Sequence, residues 1–201
     1  FDNACHEHLE YYSLISLKYL LERHNLEVFD VELNDVNGGS FRIYIQHKGC
    51  RPVSQRVEKM EKFEKKLNLS QKKPYRDFAS RVLSLKEKLY NFIKKETRLG
   101  KKVYVYGAST KGNTLLQFCN LDKKLITAAA DRNPDKWGKK TVGTLIPVIS
   151  EEEARLQNPD YFLVLPWHFL KEFIQRESKF LERGGKFIVP LPEFKIIGKK
   201  T

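Results

Sequence analysis

The sequence predicts an α/β protein: a Rossmann-like parallel sheet domain, preceded by a segment of helices and strands that carries a His-Glu-His motif. Three observations predict it. Apolar runs at 103–106, 125–130, 161–165 and 186–189 alternate with helix-like stretches, the pattern of a parallel sheet with helices packed on it. A glycine-bounded turn, 107–112, follows the first of these runs. Residues 1–100 follow a different pattern, with two alternating runs and two long amphipathic stretches. The chain is therefore divided into domains 1–100 and 101–201.

Each element has a local reason. Ser13 can cap a helix running to about His24, with Leu14, Leu17, Leu20 and Leu21 on one face. Residues 27–33 and 41–47 alternate and read as half-buried strands, joined by the loop chemistry of 34–40. Amphipathic helices are expected over 53–68 and 75–98. Pro74 suits the start of the second and Gly100 its end. That helix turns Phe78, Val82, Leu85, Leu89 and Phe92 to one side. After the strand 103–106, the turn 107–112 leads to a helix over 114–120, and the strand 125–130 ends at Asp131. One helix, 170–181, separates the strands 161–165 and 186–189.

Composition narrows the function classes. The 201 residues are 41% hydrophobic and 31% charged, and no apolar run reaches the ~18 residues of a membrane span. The opening lacks a signal-peptide pattern. Cys5, Cys50 and Cys119 are scattered, which points away from a disulfide framework and toward a reducing cytoplasm. The chain begins with Phe1 inside a polar motif and reads as a piece of a longer protein. Of the net charge of +12, nearly all the excess lies in 51–102, with 17 Lys and Arg against 6 Asp and Glu. A basic stripe can bind nucleic acid, but acids interleave here (Glu58, Glu61, Glu64), so a solvated helix face is the reading taken. Neither a nucleic-acid nor a membrane partner is expected.

Four motifs can carry chemistry. Cys5-His6-Glu7-His8 sets two imidazoles beside a carboxylate. The spacing is poor for a metal, and a general base, tuned or held by the adjacent glutamate, is the better use of the motif; an incidental polar loop is the alternative. Asn37-Gly38-Gly39-Ser40 allows close backbone approach to a ligand or a plain strand-connecting turn. The run from Gly107 to Thr114 places a glycine turn before a helix, where free N–H groups and the helix dipole favour an anion. It departs from the dinucleotide fingerprint at Ser109 and from the P-loop at Asn113. Asp131 stands where a ribose-binding acid would lie. His168 follows a predicted strand, at the sheet end that faces ligands or simply in a helix-entry loop.

Taken together, these segments resemble the C-terminal domain of S-adenosylmethionine-dependent sugar C-methyltransferases, over nearly the whole chain. The likeness rests on the run from Cys5 to Ser13, on Leu26–Val31 leading to Gly38-Gly39-Ser40, and on Gly107–Thr114. Asp131-Arg132-Asn133-Pro134, Leu163–Trp167 and Gly184–Pro190 complete it. The resemblance implies methyl transfer to a carbon of a nucleotide-linked keto-deoxysugar. It implies a three-part parent whose zinc-binding and methyl-donor domains are absent here, so S-adenosyl-L-methionine would bind in the missing part and zinc only in the parent. His8 maps onto the family's base and Glu7 onto its carboxylate, whereas Cys5 replaces a family tyrosine. A thiol is a weak substitute for a phenol as donor to a keto oxygen. Substrate contacts are expected from Tyr11, Asn37, Gly38, Gly39, Ser40 and Arg42, and from Ser109, Lys111, Asn113, Asp131 and Arg132. The isolated chain is expected not to methylate. Its rivals are a non-catalytic nucleotide-sugar-binding module, an NAD-dependent oxidoreductase domain, against which Ser109 speaks, and a nucleic-acid binder.

Overall fold

A computed structural model describes residues 1–4 and 8–199, the side chain of Asn37 excepted. The chain packs as two compact units, Leu9–Ser80 on the one hand and Phe1–His8 with Arg81–Thr201 on the other. The change of sequence pattern at residue 100 marks where helix gives way to sheet, whereas packing divides the chain between Ser80 and Arg81.

The Leu9–Ser80 unit holds α1 (Leu14–Glu22), β1 (Leu26–Asn34), β2 (Ser40–His47) and α2 (Gln55–Leu67). Ser13 and Ser16 form a reciprocal cap that starts α1. β1 and β2 pair antiparallel around the turn Val36–Gly38, where Gly38 and Gly39 take φ of 88° and 124°, conformations that glycine tolerates best. Leu14, Val28, Val31 and Val57 make the core. Buried Glu64 on α2 accepts from Leu14 N (2.7 Å) and Ile15 N (2.9 Å), filling the unbonded donors at the α1 N-terminus.

The long helix α3 (Lys72–Arg98) closes at Gly100, with φ of 81°. From it the chain enters β3 (Val103–Tyr106), α4 (Thr110–Phe118), β4 (Ala129–Asp131), β5 (Val148–Ser150) and α5 (Glu151–Leu156). It continues as β6 (Tyr161–Val164), α6 (Leu170–Arg176), α7 (Ser178–Glu182), β7 (Lys186–Val189) and β8 (Lys195–Ile197). The sheet runs β5-β4-β3-β6-β7-β8, parallel except for β8. Successive side chains alternate between its faces. Val103, Val105, Leu163 and Ile188 join Leu89, Ile93, Leu115 and Leu116 on one face. Tyr104, Tyr106, Phe162 and Phe187 join Phe173 and Phe180 on the other. Both faces are covered, as a parallel sheet requires. No helix among the described residues is long and apolar enough to cross a membrane.

The mixed α/β class with a mostly parallel sheet is the one expected, but several elements differ. α4 begins at Thr110 and not 114, because Ser109 caps it. The strand expected over 125–130 is only Ala129–Asp131, since Leu125 and Ile126 fold back onto the Asp122 carbonyl. The helix expected over 170–181 is interrupted at Glu177, and β5, α5 and β8 were not foreseen.

Candidate functional site

From β3 the chain first builds β4 and β5 to one side, then returns to set β6 on the other. The strand order therefore reverses between β3 and β6. The carboxyl ends of such a pair form the crevice in which open α/β sheets take ligands.

Two turns wall this crevice, residues 107–109 after β3 and 166–169 after β6. Gly107 has φ of 87°, and a Cβ there would stand 2.7 Å from Pro166 Cγ. A Cβ on Gly112 would stand 2.5 Å from Leu165 Cδ1. Both glycines thus serve close packing of α4 and its entry turn against the end of β6. The Ser109 hydroxyl accepts from Gly112 N (3.0 Å), and the Ser109 carbonyl from Asn113 N (3.0 Å). Half-buried Lys111 lies in the first turn of α4.

The N-terminal residues are fastened to this edge. The Phe1 ring packs on Phe118, with centroids 5.2 Å apart. The Thr114 hydroxyl donates to the Ala4 carbonyl (3.2 Å), and the Trp167 indole N–H to the Asp2 carboxylate (3.1 Å). Exposed His8 places Nδ1 2.7 Å from the Asn3 carbonyl. A carbonyl only accepts, so Nδ1–H donates there, and in the neutral ring Nε2 then holds the lone pair that a general base needs. Asn3 Oδ1 is buried without a partner among the described residues. Cys5, His6 and Glu7 lie outside the described residues.

Asp131 is nearly buried. Its carboxylate accepts from Ala108 N (2.8 Å), Asn133 N (2.8 Å) and the Lys136 ammonium (3.1 Å). It ties the end of β4 to the turn after β3. A ribose diol would have to compete with three donors already in place. The residues present therefore do not fit S-adenosylmethionine or a dinucleotide held in the Rossmann manner. Arg132 beside it is exposed.

A hollow of about 270 Å³ opens next to Asp131, lined by Gly107, Arg132, Glu151, Phe169, Glu172 and Arg176 among others. Its floor is an ionic network that the sequence reading missed. The Tyr106 hydroxyl donates to Glu177 (2.7 Å) and accepts from Arg176 Nη2 (2.8 Å). Arg176 also reaches Glu151 (2.8 Å), and Arg155 reaches Glu177 (3.1 Å). Burial and the Glu177 carboxylate push the Tyr106 phenol well above the usual tyrosine range. One signal could have found α5: Ser150 followed three residues later by Glu153, a capping pattern, and the Ser150 hydroxyl does accept from Glu153 N (3.0 Å).

The remaining expected residues lie in the other unit. Tyr11 is exposed. Residues 36–40 form the hairpin turn, with the Ser40 hydroxyl donating to the Val36 carbonyl (2.9 Å). Arg42 stands opposite Glu32 in the hairpin. An open hollow of about 690 Å³ in this unit is lined by Val31, Leu33, Met60 and Phe63 with Arg56 and Lys59, and among the described residues it includes none of the expected site residues.

Residues 35–192 match a family described as the C-methyltransferase C-terminal domain. The chain is 38% identical over 202 residues to the C-methyltransferase NovU of Streptomyces niveus, an alignment covering 100% of this chain and 48% of that protein. The chain thus spans about half the length of this curated relative.

Proposed function

The chain belongs to the C-methyltransferase C-terminal domain family, and from that premise we propose that it supplies the acceptor-binding site and catalytic base of an S-adenosylmethionine-dependent methyltransferase acting on carbon of a nucleotide-linked keto-sugar. The observation that carries this reading is the hydrogen bond from His8 Nδ1 to the Asn3 carbonyl, on a segment fastened across the sheet's crevice. A proton on the carbon beside a ketone is acidic because its anion delocalises onto oxygen. His8 Nε2 takes that proton, and the electron pair passes into an enolate ready for methylation at carbon. Glu7 is proposed to orient the sugar or the base. Lys111, with Ser109 and Asn113 at the start of α4 and Arg132, is proposed to hold the diphosphate. The methyl donor is proposed to bind outside these residues.

Calorimetric titration of the chain with a nucleoside diphosphate, its keto-sugar derivative and NAD tests this reading. Tight binding of the keto-sugar nucleotide, with none of NAD, is expected. NAD binding alone would replace the reading with an oxidoreductase. Cys5 in place of the family tyrosine gives a second reading some ground, a binding module without chemistry. Solvent-proton exchange at the carbon beside the ketone, abolished in His8→Ala, separates the two.

A further inference from the structure

We infer that His168 donates a hydrogen bond to the keto oxygen of the acceptor. The inference rests on the functional reading above. His168 sits in the short turn Trp167–Phe169 directly after β6, at the crevice where the strand order reverses. Its neighbour Trp167 binds the Asp2 carboxylate, and Asn3, the next residue, holds the His8 ring. The turn carrying one imidazole is therefore fastened to the segment carrying the other.

The His168 ring is half-buried, between Trp167 (centroids 5.9 Å apart) and Phe169 (4.3 Å). Among the described residues no hydrogen bond engages it. A half-buried imidazole without a partner has unspent hydrogen-bonding capacity. Among the described residues, the charged groups acting on it are Lys111 from α4 and Asp2 from the N-terminal segment. Burial and the Lys111 ammonium hold the imidazole below its usual value, and Asp2 only partly opposes them. The ring is thus neutral near pH 7, with one N–H to give.

The two histidines then divide the chemistry. His8 Nε2 accepts the carbon-bound proton and becomes imidazolium. The released pair moves into the enolate, whose oxygen carries the developing charge. His168 keeps its own proton and offers it as a hydrogen bond to that oxygen, where a preorganised donor acts most strongly. A neutral imidazole suits this role, since it polarises a carbonyl without itself protonating the enolate.

The test uses the chain and a nucleoside diphosphate keto-deoxysugar isotopically labelled at its keto carbon. On binding to the unaltered chain, the labelled carbon resonance should move downfield. His168→Ala should bind the sugar with little loss of affinity, lose most of that movement, and slow solvent-proton exchange roughly 10²-fold. His168→Gln, whose amide N–H can still donate, should recover part of both and covers the case of an alanine variant that fails to fold. His8→Ala should keep the movement and lose the exchange. A full downfield movement in a folded His168→Ala overturns the inference and leaves the function standing. A bound keto carbon that does not move in the unaltered chain does the same. No binding of the keto-sugar overturns both.

Discussion

At the scale of single residues, surroundings rather than residue type decide what each titratable group can do. His168 in the folded chain holds its proton more weakly than an ordinary histidine, because burial and Lys111 disfavour the cation. Below the ordinary histidine value the unfolded chain therefore binds more protons at this position, and acidification through that window lowers stability. His168→Asn removes the group, so its melting temperature should fall less than that of the unaltered chain between about pH 7 and about pH 5. Parallel thermal melts decide this, and equal losses in the two proteins would count against it. Cys119 makes a second case. Its thiol is buried in the core and pushed by burial up to about 11, whereas Cys50 is exposed. An alkylating reagent in native buffer should label Cys50 and spare Cys119 until the chain is unfolded, as read by mass spectrometry of the peptides. Rapid native labelling of Cys119 would contradict the packing described. Neither environment was legible from the residue names, because burial depends on which strands become neighbours. Asp131 shows the same limit: its position at the end of β4 was readable, its three hydrogen-bond donors were not.

At the scale of elements, helix starts follow small devices that a sequence window blurs. The sequence pattern starts α4 four residues late, because Gly112 reads there as the end of a loop. In fact it is a buried helical glycine facing Leu165. Gly112→Ala separates the two readings. In a free helix alanine would gain up to ~1 kcal/mol. Here its Cβ would meet the Leu165 side chain at 2.5 Å, an overpacking of about 1–3 kcal/mol, so the net effect should be destabilising. Urea unfolding should show a lower midpoint, and Leu165→Val in the same chain should return part of it. Glu64 teaches the complementary lesson. It read as one of the acids on a solvated helix, yet its carboxylate closes the N-terminus of α1 through two backbone N–H groups. Glu64→Ala should cost about 2–3 kcal/mol of the stability of the Leu9–Ser80 unit, because buried donors lose a charged acceptor, with Glu64→Gln in between. No loss in denaturant melts would show that water satisfies those donors. The central strands were readable because both faces of a parallel sheet are buried, leaving continuous apolar runs such as Tyr161–Val164. β5 and β8 were not, since three-residue strands present too short a run for any period to register.

At the scale of the whole molecule, charge is the property that sequence stated most loudly and structure reinterprets. The excess of cations over 51–102 maps onto α2, α3 and the flanking loops. Many of those cations have local partners. Lys73 pairs with Asp77 (2.6 Å), Lys101 with Asp160 (2.9 Å), and Arg56 with Asp30, whose carboxyl is held far below its usual value chiefly by the Arg56 guanidinium and the Ser54 hydroxyl. Lys86 lies over the Phe118 ring (4.9 Å) and Lys94 over Tyr90 (5.2 Å). A nucleic-acid surface needs cations free to displace the counterions of a phosphate backbone, and each one spent on an ion pair or a ring weakens that exchange. A net charge of +12 still attracts any polyanion at low ionic strength. The expected outcome is therefore weak association with generic duplex DNA in dilute buffer that vanishes at about 0.15 M salt, where screening acts over roughly 8 Å. Fluorescence anisotropy across a salt series measures it. Binding that survives physiological salt would mean that the helices present a dedicated basic face, and that the charge pattern, rather than the crevice at β3 and β6, marks the molecule's principal ligand.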